Sequence, residues 1–221
     1  RSPQISRSLD QTSVDGRKAP GLENHHKRQH KGQIADHCAK TGIEHGEGAK
    51  ADPALARAHA QTPAFEWRLR PGGYEGLFRM IVEQQVSVAS AASVWARLRE
   101  GMGGITPELL LAHDLDQLRG MGLSRQKATY GQGIARAQIA GEIDLEHLAN
   151  LDDEAAIASL TALKGVGLWT AEAYLMMCEG RLDVFPGGDV ALQEAIRWAD
   201  GAEVRPDQKG AYARAEIWRP Y

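Results

Sequence analysis

The sequence predicts an all-α fold. Apolar residues recur at helical spacing along most of the chain beyond residue 50, and cap residues stand ahead of those runs. Alternating strand patterns are nearly absent.

Composition bounds the rest. A chain of 221 residues, 43% hydrophobic and 25% charged, suits one or two compact units. No apolar run approaches the roughly 20 residues that span a bilayer, so no membrane partner is expected. The two cysteines, Cys38 and Cys178, argue against a disulfide scaffold and favour a cytoplasmic setting. They also fall short of the four thiolates that hold an iron–sulfur cluster. Net charge is −3 overall. Residues 1–50 carry 9 basic and 6 acidic residues, which leaves 17 against 23 in the remainder, a net of −6. Any affinity for nucleic acid must therefore come from a local patch and from backbone donors.

Residues 1–50 hold no Phe, Trp or Tyr and only 11 apolar residues. They predict a polar, disordered tail. Five of the eight histidines lie there, with His26 and His30 one helical turn apart and His37 beside Cys38. A metal site and a solvated tail both fit that pattern.

From Ala51 the pattern turns helical. Asp52-Pro53 reads as an N-cap and first helical residue leading ALARAHAQ. Pro71-Gly72-Gly73 reads as a turn, after which Tyr74 to Gln85 carries Leu77 and Ile81 at helical spacing. Val88 to Arg99 follows, closed by the glycines between Gly101 and Gly104. Thr106-Pro107 starts a short helix, and Asp114 to Arg119 leads into GMGLSRQKA, where Ser124 caps the next helix. Gly131 and Gly133 inside that helix each cost about 1 kcal/mol relative to alanine, which predicts close packing or a local break. Asp153 to Leu163 places Ile157, Leu160 and Leu163 on one face. The chain then breaks into a glycine hairpin, Lys164-Gly165-Val166-Gly167, and a second helix starts near Thr170. An extended VFPGG link delivers Asp189 at the start of a third helix, and a last helical stretch ends in IWRPY.

The hairpin places unpaired backbone N–H groups at a helix N-terminus, where they can hold a phosphate. Asp189 stands 20 residues beyond Trp169, near enough in the chain to share a pocket with that ring. The earlier LRGMGLSRQKA stretch echoes LKGVGLWTAEA and reads as a degenerate internal copy of the hairpin.

Taken together, LxxLxGVGxWTA and DVFPxxD resemble the helix-hairpin-helix DNA glycosylases (the HhH-GPD superfamily), and within them the 3-methyladenine DNA glycosylase II type. The resemblance implies a helical helix-hairpin-helix glycosylase fold over residues 51–221. In that family a W-x-P element leads into one further helix; IWRPY ends at Tyr221, so the implied domain is truncated, lacking its last helix. The implied function is base excision repair by a monofunctional glycosylase. Such an enzyme flips an alkylated purine such as 3-methyladenine out of double-stranded DNA and hydrolyses its N-glycosidic bond. No cofactor is implied, and a monomer is the expected state.

Residue by residue, the resemblance makes Asp189 the catalytic carboxylate, which stabilises positive charge on the sugar and orients or deprotonates water. The helix dipole favours an anion at that position. Trp169 occupies the position where bifunctional relatives carry a Schiff-base lysine, so strand scission is not expected. Trp169 and the neighbouring Tyr174 are implied base-pocket residues; a cationic base suits an indole face. Gly165, Val166, Gly167 and Thr170 would meet DNA at the hairpin, with Val166 plugging the gap between its helices. Gln85, in the Gln84-Gln85-Val86-Ser87 signature, matches the side chain pushed into the duplex. Arg125 and Lys127 offer cations to the phosphate backbone. Hairpin carbonyls near Thr161, Leu163 and Val166 could also hold a monovalent cation. Each residue has a plainer reading beside the functional one: a helix cap for Asp189 and for the QQVS stretch, core packing for Trp169, a solvated turn for Arg125 and Lys127. A non-catalytic helix-hairpin-helix DNA-binding module is the alternative for the whole chain.

Overall fold

The computed structural model describes residues 52–62 and 70–219. The tail expected at residues 1–50 and the chain end at residues 220–221 lie outside them. Ten α-helices run through the described residues, and none of those residues forms a strand. In order they are α1 (Pro53–Gln61), α2 (Gly73–Glu83), α3 (Val88–Met102), α4 (Pro107–Leu111), α5 (Leu115–Gly120) and α6 (Arg125–Ile139). Then follow α7 (Asp153–Thr161), α8 (Leu168–Tyr174), α9 (Val190–Asp200) and α10 (Gln208–Ala215). A π-helical turn, Leu175–Glu179, prolongs α8, and a 3-10 turn, Glu216–Trp218, prolongs α10.

The predicted caps are in place. Asp52, Ser87, Thr106, Ser124 and Asp189 each accept a backbone N–H from the first turn of their helix. Asp114 and Gln117 complete a reciprocal capping box. Such caps are worth about 1 kcal/mol each and fix where short helices begin. Four boundaries differ from expectation. Helix α2 stops at Glu83, two residues short of Gln85. Helix α3 continues past Arg99 to Met102 and stops at Gly103, which takes the left-handed conformation at φ 74°. Helix α7 ends at Thr161, because Leu163 N–H turns back to the Leu160 carbonyl (3.1 Å) and tightens the chain into the hairpin. Helix α8 begins at Leu168, two residues ahead of Thr170.

Helix α2 is the hub of the core. It packs against α3, α6 and α8, and its Leu77, Phe78 and Ile81 are fully buried. Close packing explains one of the two puzzling glycines. A Cβ on Gly131 would lie 2.3 Å from the Phe78 ring, so glycine lets α6 approach α2. The Tyr74 hydroxyl donates to the Gly131 carbonyl across the same contact (3.1 Å). Gly133 faces open space, and nothing in the structure explains it.

The two ends of the described fold are clasped. Asp52, 4% exposed, accepts through Oδ2 from Arg214 (2.5 Å) and from the Trp218 indole (2.7 Å). Arg214 also pairs with Asp200 at the end of α9. This clasp keeps α1, α9 and α10 together, and α9 carries Asp189 at its head.

Candidate active site and nucleic-acid interface

The hairpin between α7 and α8 is rigid on its inner side and open on its outer side. Val166 is 4% exposed and plugs the gap between the helices, and its N–H returns to the Leu163 carbonyl (3.0 Å). Gly165 has φ +97°, and a Cβ there would strike the Tyr130 ring at 2.3 Å. Glycine is thus required at 165 by conformation and by Tyr130 together. Gly167 is different: its φ is −86° and a Cβ would meet nothing within 4 Å. It stands as the N-cap of α8 with no side-chain cap, so the first amides of α8 face outward.

Two loops are tied to this hairpin. Gln84 Nε2 donates to the Gly165 carbonyl and to Thr170 Oγ1, both at 3.2 Å. That bond joins the turn between α2 and α3 to the hairpin and presents the next residue, Gln85, to solvent. Gln85 has φ +55° and is the one non-glycine residue at positive φ among those described. An L-residue adopts that conformation at some cost, a strain of the kind that collects at functional sites. Val86 and Val88 beside it are 43% and 88% exposed. The second tie is to the VFPGG link. A Cβ on Gly188 would sit 3.6 Å from Trp169 Cβ, so the link lies against the start of α8.

Asp189 and Trp169 do meet. The Trp169 indole N–H donates to Asp189 Oδ2 (3.1 Å), while Asp189 Oδ1 accepts from Ala191 N–H (2.8 Å) and Leu192 N–H (3.3 Å). The carboxylate is therefore a helix cap through one oxygen, while its other oxygen is held by the Trp169 indole. Trp169 is 39% exposed, so its ring is not part of the core. Neighbouring acids are already spoken for: Asp183 takes a two-pronged pair from Arg219, and Glu194 is bridged by Arg197.

The structure separates other expected site residues from the Trp169–Asp189 pair. Tyr174 is fully buried, and its hydroxyl accepts from Gly73 N–H (2.8 Å) at the head of α2. It points into the core, so it does not share a pocket with the exposed Trp169. Thr170 is 3% exposed and its hydroxyl is held by Gln84, so only its backbone can serve DNA. Lys127 is also turned inward. Its ammonium donates to the Val82 carbonyl (2.8 Å) at the end of α2, and burial lowers its pKa. A lysine there caps the negative end of a helix rather than a phosphate. Arg125 remains exposed, and its guanidinium has no hydrogen bond among the described residues. The carbonyls of Thr161 and Val166 likewise accept no hydrogen bond among the described residues, and that of Leu163 accepts one.

Four residues that the sequence left unmarked prove central: Gln84, Tyr130, Glu172 and Tyr212. Gln84 stood inside the quoted signature, next to the residue singled out. Glu172 gave a fainter signal, as an acid three positions beyond Trp169 in an otherwise apolar helix. Its burial raises its pKa, opposed by a hydrogen bond from Tyr212. Nothing in the local sequence marks Tyr130 or Tyr212.

Comparison with known proteins gives the family. Residues 78–220 match the family described as HhH-GPD superfamily base excision DNA repair protein. The chain is 28% identical over 207 residues to the "Putative DNA-3-methyladenine glycosylase YfjP" of Bacillus subtilis, covering 90% of this chain and 66% of that protein. Among solved structures, the DNA-3-methyladenine glycosidase of Bacillus halodurans is 30% identical with a TM-score of 0.72, covering 80% of this chain and 82% of that one. The Schizosaccharomyces pombe 3-methyladenine DNA glycosylase Mag1, solved in complex with abasic DNA, is 27% identical with a TM-score of 0.68, covering 77% and 86%.

Proposed function

Because the chain belongs to the HhH-GPD superfamily of base excision DNA repair proteins, we propose that it is a monofunctional DNA glycosylase of base excision repair, of the 3-methyladenine type II class, acting on alkylated purines in duplex DNA. The observation that carries this reading is Asp189 Oδ2, an acceptor held by the Trp169 indole at the mouth of a hairpin with outward-facing amides.

The chemistry follows from that layout. The amides at Gly167 and the first turn of α8 hold a backbone phosphate, and Arg125, exposed at the start of α6, adds a cation. Gln85, exposed on the turn between α2 and α3, fills the gap left when a nucleotide swings out of the stack. Extrusion costs a few kcal/mol, least for a damaged base. The flipped base stacks on Trp169, which favours the positive charge of an alkylated purine. The bond from base nitrogen to C1′ then breaks, the electron pair leaves with the base and neutralises its charge, and the sugar becomes cationic. Asp189 stabilises that cation and takes a proton from the water that attacks C1′. An abasic site remains.

The names of the relatives described above support the substrate class. Position 169 offers an indole and no amine, so a Schiff base with the sugar does not form there. The reading also includes a monomer working on DNA in the cytoplasm. It needs no iron–sulfur cluster: the sequence holds two cysteines, and burial pushes the Cys178 thiol up to about 12. No described helix is long and apolar enough to cross a membrane. A monovalent cation at the carbonyls of Thr161, Leu163 and Val166 would brace the hairpin, and the two free carbonyls support that placement.

The test is incubation of the chain with methylated duplex under single-turnover conditions. Free 3-methyladenine or 7-methylguanine is expected, with abasic strands that stay intact until heated in alkali. Absence of released base overturns the assignment, and borohydride trapping of the protein on abasic DNA overturns its monofunctional part.

A further inference from the structure

Glu172 is an odd residue to bury. It is 5% exposed in α8, and its Oε2 is buried without a hydrogen-bond partner. Its Oε1 accepts from the Tyr212 hydroxyl of α10 at 2.5 Å. Joining α8 to α10 does not require an acid, since an apolar pair of similar volume does so without an unmet carboxyl oxygen. What the pair does achieve is visible in the link between them. The Tyr212 ring lies so close over Gly187 that a Cβ there would come within 2.8 Å of it. Gln208, one turn earlier in α10, donates to the Tyr212 hydroxyl (3.4 Å) and lies 3.5 Å from where a Gly188 Cβ would be. From below, Gln193 Nε2 donates to the Gly187 carbonyl (2.9 Å). The Gly187-Gly188 turn is thus clamped between α8 and α10, and the next residue is Asp189.

We propose that Glu172 and Tyr212 form a strut that fixes the Gly187-Gly188 turn and so positions the Asp189 carboxylate against Trp169. The strut acts through the turn: neither residue is a catalytic residue, and both are positioning residues. Its effect on base release rests on the reading of Asp189 given above, whereas its effect on the Trp169–Asp189 contact does not. Loosening the turn moves Oδ2 relative to the flipped sugar, and a displacement of 1 Å at a reacting group can cost on the order of 100-fold in rate.

The experiment uses the full chain labelled with nitrogen-15. The indole N–H resonance of Trp169, assigned by its loss in Trp169→Phe, reports directly on the bond to Asp189. In Tyr212→Phe that resonance is expected to shift and exchange faster with water. Single-turnover base release falls by about 10-fold, while affinity for abasic duplex stays within about twofold. Glu172→Gln keeps an acceptor for Tyr212 and restores the wild-type indole position and most of the rate. Should Tyr212→Phe fold poorly, the double variant Glu172→Leu/Tyr212→Phe removes the unpaired acid along with its partner and is expected to show the same shift. An indole resonance that stays at its wild-type position in these variants overturns the strut, whatever the rate. A wild-type chain that releases no base overturns the catalytic reading instead and leaves the indole measurement to decide the strut.

Discussion

Replacing Gly167 with valine separates the hairpin's role in binding from its role in folding. At φ −86° the backbone accepts an L-residue, and a Cβ would meet nothing within 4 Å. The fold should therefore tolerate the change at a cost of about 1 kcal/mol, that of a poorer N-cap. A phosphate is another matter, because the new methyl groups stand where it must approach the amides of α8. Hydrogen bonds to a charged group are worth about 1.5–3 kcal/mol each, so losing one weakens binding by roughly 10- to 150-fold. Amides carry no net charge and release few counterions. The slope of affinity against salt should thus stay near its wild-type value while the whole line drops. Fluorescence anisotropy with matched and alkylated duplex over a salt series reads both quantities, with circular dichroism as the check on folding. A folded Gly167→Val that binds as wild type refutes the phosphate role of the hairpin. Gly165→Ala is the contrast: φ +97° and the Tyr130 ring at 2.3 Å make it a folding defect.

Five further outcomes follow from the geometry. Arg125→Gln removes one exposed cation and should lower the salt slope by about one, whereas Lys127→Gln should leave the slope unchanged and lower the melting temperature, since Lys127 caps α2. Glu172 has a folded pKa raised above 4.5, so its stabilising contribution is complete below that value and is lost as pH rises through the folded pKa. Glu172→Gln removes that loss, and its melting temperature should overtake that of wild type by a margin that widens from pH 4.5 upward; a constant difference across pH contradicts this. Gly131→Ala drives a methyl group to 2.3 Å from the Phe78 ring and should destabilise by about 1–3 kcal/mol in urea, while Gly133→Ala, in open space, should stabilise by about 0.5–1 kcal/mol.

The helices and their starts were legible because caps are local: Ser87, Thr106, Asp114, Ser124 and Asp189 each act on amides two or three residues ahead. The hairpin was legible for the same reason, as was the meeting of Trp169 with Asp189 through a short link. Side-chain direction was not. Tyr174 and Lys127 have the right chemistry for a DNA site, but α8 and α6 turn them toward Gly73 and Val82, which lie far away in sequence. The internal echo LRGMGLSRQKA shows the limit well. Its Gly122 adopts φ +105°, much like Gly165, yet Ser124 caps α6 with its own side chain and satisfies the Lys127 amide. Gly167 supplies no such cap, so the later copy alone keeps its amides free for a ligand. Gln84, Glu172, Tyr130 and Tyr212 act across 40 to 86 positions or through a ring packed on a glycine, and no window of sequence reveals such pairings.

The central claim is that Asp189 carries the chemistry, and Asp189→Asn tests it most directly. Asparagine caps a helix about as well as aspartate, so Oδ1 can still accept from Ala191 and Leu192 and α9 keeps its start. Only the negative oxygen facing Trp169 is lost. Single-turnover release of methylated purines should fall by at least about 100-fold, as expected when a group stabilising transition-state charge is neutralised, with duplex affinity within a few-fold of wild type. Asp183 and Glu194, held by Arg219 and Arg197, should not substitute for it. A folded Asp189→Asn that releases base at the wild-type rate would contradict the account.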